Sequence, residues 1–295
     1  MTTDRLPRIV ALLLRVPHEY RQYHLGPAEI RRLHGLDADV LRCLTELGLP
    51  HVGDGADALF AESDVASVAM HLGLPTVRRL VMRPWLKSLH RLQRQPTVYS
   101  VDIRVDCPAP RHGGHCTYRM IGADGTRRDV DTAQRRDRLA TVRVEAAEPP
   151  YPVPAPLLGL LGDFADVDFY VLPYPLRHSE RFLIEERAGS CELFVRVLVQ
   201  EARRRGFVAR PAYGIVAAVP FSQVHCWTEI LVDGCWVKVD PQMPQAMWSL
   251  GLCTEDDWPQ TLSPAGMYHR LAADGPLVSH TGLDCRVSLP TAVAQ

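Results

Sequence analysis

The spacing of apolar residues changes near residue 96 and divides the chain into two kinds of secondary structure. Before that point apolar residues recur every three or four positions, as on the buried face of a helix. Helices are predicted within residues 5–20 and at 27–33, 37–47, 62–72 and 76–94. After Pro96, Tyr99, Val101, Ile103 and Val105 alternate with polar residues, which is typical of half-buried strands. We therefore predict an α+β chain with a helical module over 1–95 and a second domain over 96–295.

A β-hairpin is the sharpest local prediction. Asp233-Gly234 is a two-residue turn signal between strands predicted at 224–232 and 235–239. With that turn, Trp227 faces Asp240, and His225 lies one diagonal step from Asp240 on the same face. That face is predicted to hold His225, Trp227, Glu229, Trp236, Lys238 and Asp240, and the apolar face Ile230, Val232, Val237 and Val239. The sequence thus predicts an imidazole beside a carboxylate.

A cysteine opens a predicted helix shortly before this hairpin. Ser190 suits the N-cap, Cys191 then lies in the first turn, and Gly206 suits the C-terminal stop. The positive end of the helix dipole favours the thiolate, which is the reactive form. A buried structural cysteine is the commoner fate of a lone cysteine. The presence of a histidine and an aspartate on the hairpin favours a thiol nucleophile, a general base and an orienting carboxylate.

The central stretch resembles the core of the transglutaminase-like superfamily, a papain-like thiol fold, over about 155–250. The matching positions are Gly189, Cys191, Arg205-Gly206-Phe207-Val208-Ala209-Arg210, Gly214, His225, Trp227, Glu229, Gly234, Trp236, Asp240 and Pro241. The resemblance implies a helix packed on an antiparallel sheet, with Cys191 as nucleophile, His225 as base and acid, and Asp240 as orienting carboxylate. Arylamine N-acetyltransferases use the same residue types, but Trp227, Glu229 and Trp236 fit them less well.

The chain departs from this family pattern at two places. Cys226 stands where small residues are usual, and no tryptophan stands shortly upstream of the nucleophile. The donors that would stabilise an oxyanion therefore stay open: the backbone N–H of Cys191 is the natural one, and Tyr174 or His178 are the other candidates. Tyr174, His178 and Trp227 are the candidates for substrate binding.

Composition and charge limit the classes of partner and the cellular locations that we expect for this protein. The 295 residues carry a formal net charge of −1, which argues against binding nucleic acid or membranes by bulk charge. The eight cysteines form no CxxC pair, the N-terminus has no signal-peptide pattern, and no run is long enough to span a membrane. We expect a reducing, cytoplasmic location.

Residues 22–74 resemble the winged helix-turn-helix of MerR-type regulators. The resemblance rests on Gly26-Pro27-Ala28-Glu29-Ile30, Leu41-Arg42, Glu46-Leu47-Gly48-Leu49-Pro50 and Leu59-Phe60-Ala61-Glu62-Ser63-Asp64-Val65. Three arginines stand against eight acidic residues in this region. Because DNA affinity comes mostly from cations against phosphates, this charge argues against DNA binding. The alternative is a small helical module for packing or partner contact.

Residues 76–95 are basic and contain no acid. Arg79, Arg83, Lys87 and Arg91 recur every four positions and predict a basic stripe on one helix. Leu80, Leu86, Leu89 and Leu92 are predicted to face inward. The stripe is either a solvated face or a docking surface for an acidic partner, such as a carrier protein.

Four residues with metal-binding side chains lie close together before the second strand: Cys107, His112, His115 and Cys116. They invite a zinc interpretation, but their spacing matches no common zinc finger. A loop rich in glycine and proline is favoured instead, and no metal or cofactor is predicted.

The predicted chemistry is cysteine-dependent acyl transfer through a thioester acyl-enzyme. The leading hypothesis is amide formation from a thioester- or carboxamide-activated acyl group and an amine, as in transglutaminase homologues of antibiotic biosynthesis. A cysteine peptidase or deamidase is the first alternative. A non-catalytic regulator or partner-binding protein is the second. The triad does not choose the acyl donor or the acceptor.

Overall fold

The computed structural model describes residues 6–108, 115–122, 125–134, 136–271 and 276–294. Its α-helices are α1 Leu6–Leu13, α2 Pro27–His34, α3 Ala38–Glu46, α4 Glu62–His71, α5 Val77–Arg94, α6 Ala155–Gly162, α7 Glu180–Glu186, α8 Cys191–Arg204 and α9 Gln242–Ser249. Short 3₁₀ helices occupy His18–Tyr20, Gly55–Asp57, Tyr174–His178 and Ala265–Met267. In the described part of the chain, no helix is both long enough and apolar enough to cross a lipid bilayer.

The strands are mostly antiparallel. They are β1 Tyr23–Leu25, β2 His51–Val52, β3 Leu59–Ala61, β4 Thr97–Asp106, β5 Cys116–Ile121, β6 Arg127–Thr132, β7 Arg136–Ala146, β8 Tyr151–Pro152, β9 Asp168–Phe169, β10 Ala188–Gly189, β11 Val208–Val216, β12 Phe221–Val232, β13 Cys235–Val239, β14 Leu262–Ser263, β15 Tyr268–Arg270, β16 Val278–His280, β17 Leu283–Asp284 and β18 Arg286–Val293. The α+β class predicted from the sequence is confirmed.

The chain forms two compact units whose segments interleave along the sequence. The first unit comprises Met1–Met82, Gly162–Val197 and Pro241–Gln260, and the second comprises Arg83–Leu161, Leu198–Asp240 and Thr261–Gln295. The predicted domain boundary after residue 95 stays a prediction.

The first unit is mainly helical. Asp37 caps α3 through its side chain, which accepts a hydrogen bond from the N–H of Val40 at 2.9 Å. Gly35 ends α2 in the left-handed conformation that glycine tolerates best. A small antiparallel sheet in the order β1-β3-β2 accompanies these helices, and β9 pairs with β10 in parallel. The resemblance to a winged helix-turn-helix stays a prediction.

The second unit is built on sheets. Its main sheet runs in the order β15-β11-β12-β18-β4-β7, with β13 also paired to β12. A smaller sheet runs β17-β16-β5-β6. Strand β4 alternates as predicted: Tyr99, Val101 and Ile103 are fully buried, because every second side chain points to the same face.

The hairpin register is confirmed. Thr228 lies opposite Val239, and Val232 lies opposite Cys235, as a two-residue turn requires. Asp233 and Gly234 both have positive φ, the backbone conformation of a type I′ turn. This register determines which residues of β12 and β13 share a face.

Helix α5 differs from its prediction on both faces. Leu80 was expected to face inward, but its side chain is 49% exposed. Leu89 and Leu92 are buried as predicted, and Met82 and Trp85 are buried with them at the three- and four-residue spacing of one helix face. Arg79 donates to the backbone carbonyl oxygens of Leu250 and Met70, so it does not belong to a free basic stripe. The stripe therefore starts at Arg83.

Candidate active site

A buried histidine–aspartate pair lies at the end of the hairpin in the second unit. His225 is on β12, and Asp240 follows the last residue of β13. Nε2 of His225 lies 2.7 Å from Oδ2 of Asp240, and the two residues are 5% and 8% exposed. The structure thus brings together the two residues that the hairpin register predicted to be neighbours.

Tyr268 on β15 completes this arrangement, and sequence reasoning gave it no role. Its hydroxyl donates to Oδ2 of Asp240 at 2.6 Å, and its ring meets the ring of His225 edge-on at 5.4 Å. The ring of Trp85 lies 6.0 Å from His225. The carboxylate engages Nε2, so Nδ1 is the ring nitrogen on the opposite side of the imidazole. A tyrosine far along the chain carries no sequence signal for this contact.

Trp227 supports the pair from within the core. It is fully buried, and its ring lies 5.0 Å from that of Tyr268. Gly214 on β11 makes room for it, because a Cβ there would lie 2.7 Å from the Trp227 ring. The predicted contact between Trp227 and a substrate finds no support in this placement.

A second charged cluster lies on β12, two residues after Trp227. Glu229 is buried and forms ion pairs with Arg210 at 2.7 Å and Arg270 at 3.4 Å. The guanidinium of Arg210 also stacks 3.8 Å above the ring of Trp236. These contacts link β11, β12, β13 and β15 on one face of the sheet. They stabilise the pairing of the strands that carry the histidine–aspartate pair.

Lys238 anchors the backbone that carries Tyr268. Its Nζ donates to the carbonyl oxygens of Ala265 and Tyr268, both at 2.8 Å. Burial lowers the pKa of Lys238, although Glu148 and Glu229 act in the opposite direction. Burial, and then the charge of Lys238, lower the pKa of the neighbouring His269.

Cys191 is the first residue of α8 in the first unit, where its side chain is half-buried. The carbonyl oxygen of Ser190 accepts the N–H of Phe194 at 2.9 Å, as an N-cap residue does. The Ser190 Oγ, however, is buried and makes no hydrogen bond with the part of the chain that the structure describes. Ser190 therefore occupies the predicted N-cap position and caps the helix through its backbone.

Gln242, which the sequence analysis did not single out, braces the residues before Cys191. Its Nε2 donates to the carbonyl oxygen of Gly189 at 3.0 Å, and the N–H of Tyr170 reaches the same oxygen at 2.9 Å. A Cβ on Gly189 would lie 2.7 Å from Cδ1 of Leu183, so a larger residue there would require the Leu183 side chain to move. The sequence feature that could have pointed to Gln242 is its position directly after Asp240 and Pro241.

Tyr174 and His178 lie on an exposed 3₁₀ turn of the first unit. The Tyr174 side chain is 70% exposed, and its ring meets that of His178 at 5.8 Å. Arg196, on the same helix as Cys191, lies 3.2 Å from Nδ1 of His178. Their predicted part in substrate binding stays a prediction.

The C-terminal half of α5 borders an open cleft in the second unit. The cleft has a volume of about 470 Å³ and is lined by Lys87, His90, Arg91, Arg94 and Gln95. Arg83, Lys87 and Arg91 are exposed, so three members of the predicted basic stripe face solvent. This surface therefore combines exposed positive charge with a cleft.

A comparison with protein families matches the central stretch. Residues 168–241 match the model of the transglutaminase-like superfamily, and this segment contains Cys191, His225 and Asp240. One solved structure, a putative cysteine protease from Cytophaga hutchinsonii, is 12% identical, with coverage of 68% of this chain and 91% of its own and a TM-score of 0.33. A likeness at that level carries no argument. No curated protein sequence matches. The chain therefore contains a transglutaminase-like core at residues 168–241.

Proposed function

We propose that Cys191, His225 and Asp240 catalyse acyl transfer through a thioester acyl-enzyme, and that the product is an amide. The observation that carries the proposal is the buried His225–Asp240 bond at 2.7 Å, within a segment that matches the transglutaminase-like superfamily. In sites of this type, a carboxylate orients an imidazole, and the imidazole activates a thiol. The roles follow from the chemistry of each group.

The reaction has two halves. The Cys191 thiolate attacks the carbonyl carbon of the donor, and its negative charge moves to the carbonyl oxygen, which the backbone N–H of Cys191 stabilises. The imidazolium of His225 gives a proton to the leaving thiol or amine as that bond breaks. An amine then attacks the thioester, His225 takes its proton, and the Cys191 thiolate leaves. Asp240 orients the imidazole and stabilises its charged form throughout.

We further propose that the acyl donor is carried by an acidic carrier protein that docks on Arg83, Lys87 and Arg91. The basic cleft beside α5 supports this proposal, because exposed cations attract a partner of opposite charge and speed its association.

The first experiment asks whether thiol and imidazole act together. A bifunctional alkylating agent such as 1,3-dibromoacetone should join Cys191 to His225, and peptide mass spectrometry should identify the link. The His225→Asn variant should lose the link, whereas the exposed His24→Asn control should keep it. A linkage to another histidine, or none, would remove the basis for the triad.

The second experiment identifies the reaction. Acyl-loaded carrier proteins are incubated with an amine, and intact mass reports acylation of Cys191, with Cys191→Ala as the inactive control. Amide product supports transfer, whereas release of the free acid alone, or turnover of peptides without a carrier, supports a hydrolase. If no donor acylates Cys191 and the thiol resists alkylation, the protein is a non-catalytic binding module.

Charge reversal tests the docking surface. The Lys87→Glu/Arg91→Glu variant should lower kcat/KM at least about 10-fold with carrier-bound donors, more strongly at low salt. The same variant should act normally on a small free thioester that needs no docking. The matched control is Arg42→Glu on α3, which should affect neither substrate. An equal loss on both substrates would contradict the docking role.

A further inference from the structure

Three soft ligand atoms meet at the edge of the small sheet in the second unit. Cys107 follows β4, Cys116 begins β5, and His280 ends β16. Their two sulfur atoms and a ring nitrogen all lie within 4.8 Å of one another. A tetrahedral Zn²⁺ with bonds of about 2.0–2.3 Å requires ligand atoms about 3.5–3.8 Å apart. Small side-chain rotations would bring these three atoms to that spacing.

The imidazole is oriented as in a metal site. Nδ1 of His280 lies 2.9 Å from the carbonyl oxygen of Thr117. Because a carbonyl oxygen only accepts, Nδ1 carries the proton and Nε2 carries the lone pair. Zinc-binding histidines typically donate their second nitrogen to a backbone carbonyl in this way. His280 is only 5% exposed, so its orientation is set by the protein.

Tyr118 supplies a second supporting contact. It is fully buried beside His280, with the two ring centres 5.2 Å apart. Its hydroxyl also hydrogen-bonds the side chain of Cys116. A hydroxyl that donates to a metal-bound sulfur stabilises the thiolate, which is the form that binds zinc.

A fourth thiol, that of Cys285, lies next to the last residue pair of β4 and β18. Arg286 of β18 lies opposite Asp106 of β4 as the last pair of this ladder, and Cys285 and Cys107 are the residues that flank that pair. The N–H of Cys285 donates to the carbonyl oxygen of Val278 at 3.0 Å, two residues from His280. The Cys285 sulfur is not one of the three ligand atoms that meet within 4.8 Å, so its side chain would have to move to serve as a fourth ligand.

We propose that Cys107, Cys116, His280 and Cys285 bind one Zn²⁺ in a closed structural site. Thiolate and imidazole ligands in a tetrahedral arrangement select zinc over the harder divalent cations. Each thiol releases its proton as its sulfur–zinc bond forms, and no oxidation state changes. The metal would connect the end of β4 in the main sheet to β5 and β16 in the small sheet.

This ligand set differs from the one the sequence suggested. His115 is exposed and is not among the three clustered ligands, and His112 lies outside the described residues. Two ligands of the proposed site, His280 and Cys285, lie more than a hundred residues further along the chain, which a search for local zinc-finger spacing cannot find. It shares no residue with the His225–Asp240 pair, so the two proposals stand or fall separately.

The primary test is the metal content of the full chain, purified without chelators. Native mass spectrometry and elemental analysis should find about one zinc ion per chain. The Cys116→Ser and His280→Gln variants should lose most of it, whereas the exposed Cys235→Ser control should retain it. Loss in Cys285→Ser identifies the fourth ligand, and full retention there would overturn its assignment.

A spectroscopic test guards against variants that fail to fold. Chelator-treated wild-type chain is titrated with Co²⁺, which should produce the visible bands of a tetrahedral site and the ultraviolet band of thiolate ligation. Tyr118→Phe, which keeps the buried ring, should weaken zinc binding by about 10- to 100-fold while the circular dichroism spectrum is unchanged. The proposal is overturned if the folded wild-type chain binds neither metal, or if peptide mapping finds the clustered cysteines joined in a native disulfide.

Discussion

The hydroxyl of Tyr268 donates to the same oxygen of Asp240 that faces the His225 ring. One carboxylate oxygen therefore holds two neighbours, from strands β12 and β15. Tyr268 is fully buried, so its ring position is set by packing and its hydroxyl is aimed by that packing. The carboxylate that orients the imidazole is itself oriented by a tyrosine.

Tyr268→Phe should preserve the fold and lower the rate. The ring still packs on Trp227, but Asp240 loses a charge-assisted hydrogen bond of about 1.5–3 kcal/mol. We expect kcat to fall by about 10- to 100-fold with KM nearly unchanged, because the lost contact orients the base and does not bind substrate. Steady-state kinetics measures this, with Tyr23→Phe as the control. A change in thermal stability with unchanged kcat would assign Tyr268 a purely structural role.

Limited iodoacetamide should modify Cys191 before Cys235. Cys235 is exposed and Cys191 only half-buried, so accessibility alone predicts the reverse order. A helix N-terminus and an imidazole partner would raise the thiolate fraction of Cys191 enough to outweigh its lower exposure. Peptide mass spectrometry over a time course gives the order, and His225→Asn should slow the labelling of Cys191 alone. Equal rates for the two thiols would argue against activation.

Glu229→Gln should destabilise the second unit without removing any packing. The substitution keeps the side-chain shape but leaves Arg210 and Arg270 without their shared carboxylate. Since both arginines are partly exposed, we expect a loss of about 2 kcal/mol in the free energy of unfolding, below the cost of a fully buried pair. Urea denaturation measures it. Asp39→Asn breaks the exposed pair with Arg42 and should change stability by less than about 0.5 kcal/mol.

Gly214→Ala should be strongly destabilising. A Cβ at this position would lie 2.1 Å from the carbonyl oxygen of His269 and 2.7 Å from the Trp227 ring. The obstacle is partly backbone, so β11 and β15 would have to separate, at a cost of about 3 kcal/mol or more. Gly159→Ala is the matched control: it lies in α6 with nothing within 4 Å of the new Cβ, and should gain up to about 1 kcal/mol. If Gly214→Ala unfolds with the same free energy as the wild type, β11 and β15 can separate at little cost, and the prediction is wrong.

Acid should destabilise the first unit through His71. Burial, with the nearby charges of Arg8 and Arg79, lowers the pKa of His71 to about 4, from about 6.5 in an unfolded chain. The unfolded state then binds more protons, so stability is fully present above pH 6.5 and declines as pH falls toward 4. The free energy of unfolding should drop by about 2 kcal/mol between pH 7 and pH 5. His71→Gln should remove this part of the pH dependence, whereas exposed His24→Gln should leave it intact.

The hairpin is the part of the site that local sequence rules predict best. Asp233-Gly234 specifies a two-residue turn, and that turn sets the register of β12 and β13, which places His225 beside Asp240. The N-cap position before Cys191 is also predicted, although the backbone of Ser190 forms the cap and its side chain does not. Helix α5 is predicted in extent, but the direction of Leu80 and Arg79 depends on what surrounds the helix.

The sequence by itself determined the elements whose geometry is local: the turn, the register of two adjacent strands, and the start of the helix that carries Cys191. Only the tertiary structure decided that Tyr268 meets Asp240, that Gln242 holds Gly189, and that Cys107 and Cys116 lie with His280. Turns and strand pleats follow from backbone sterics within a few residues, so composition and spacing encode them. Contacts between residues far apart in the chain depend on how whole strands are ordered in a sheet, and no short pattern records that order.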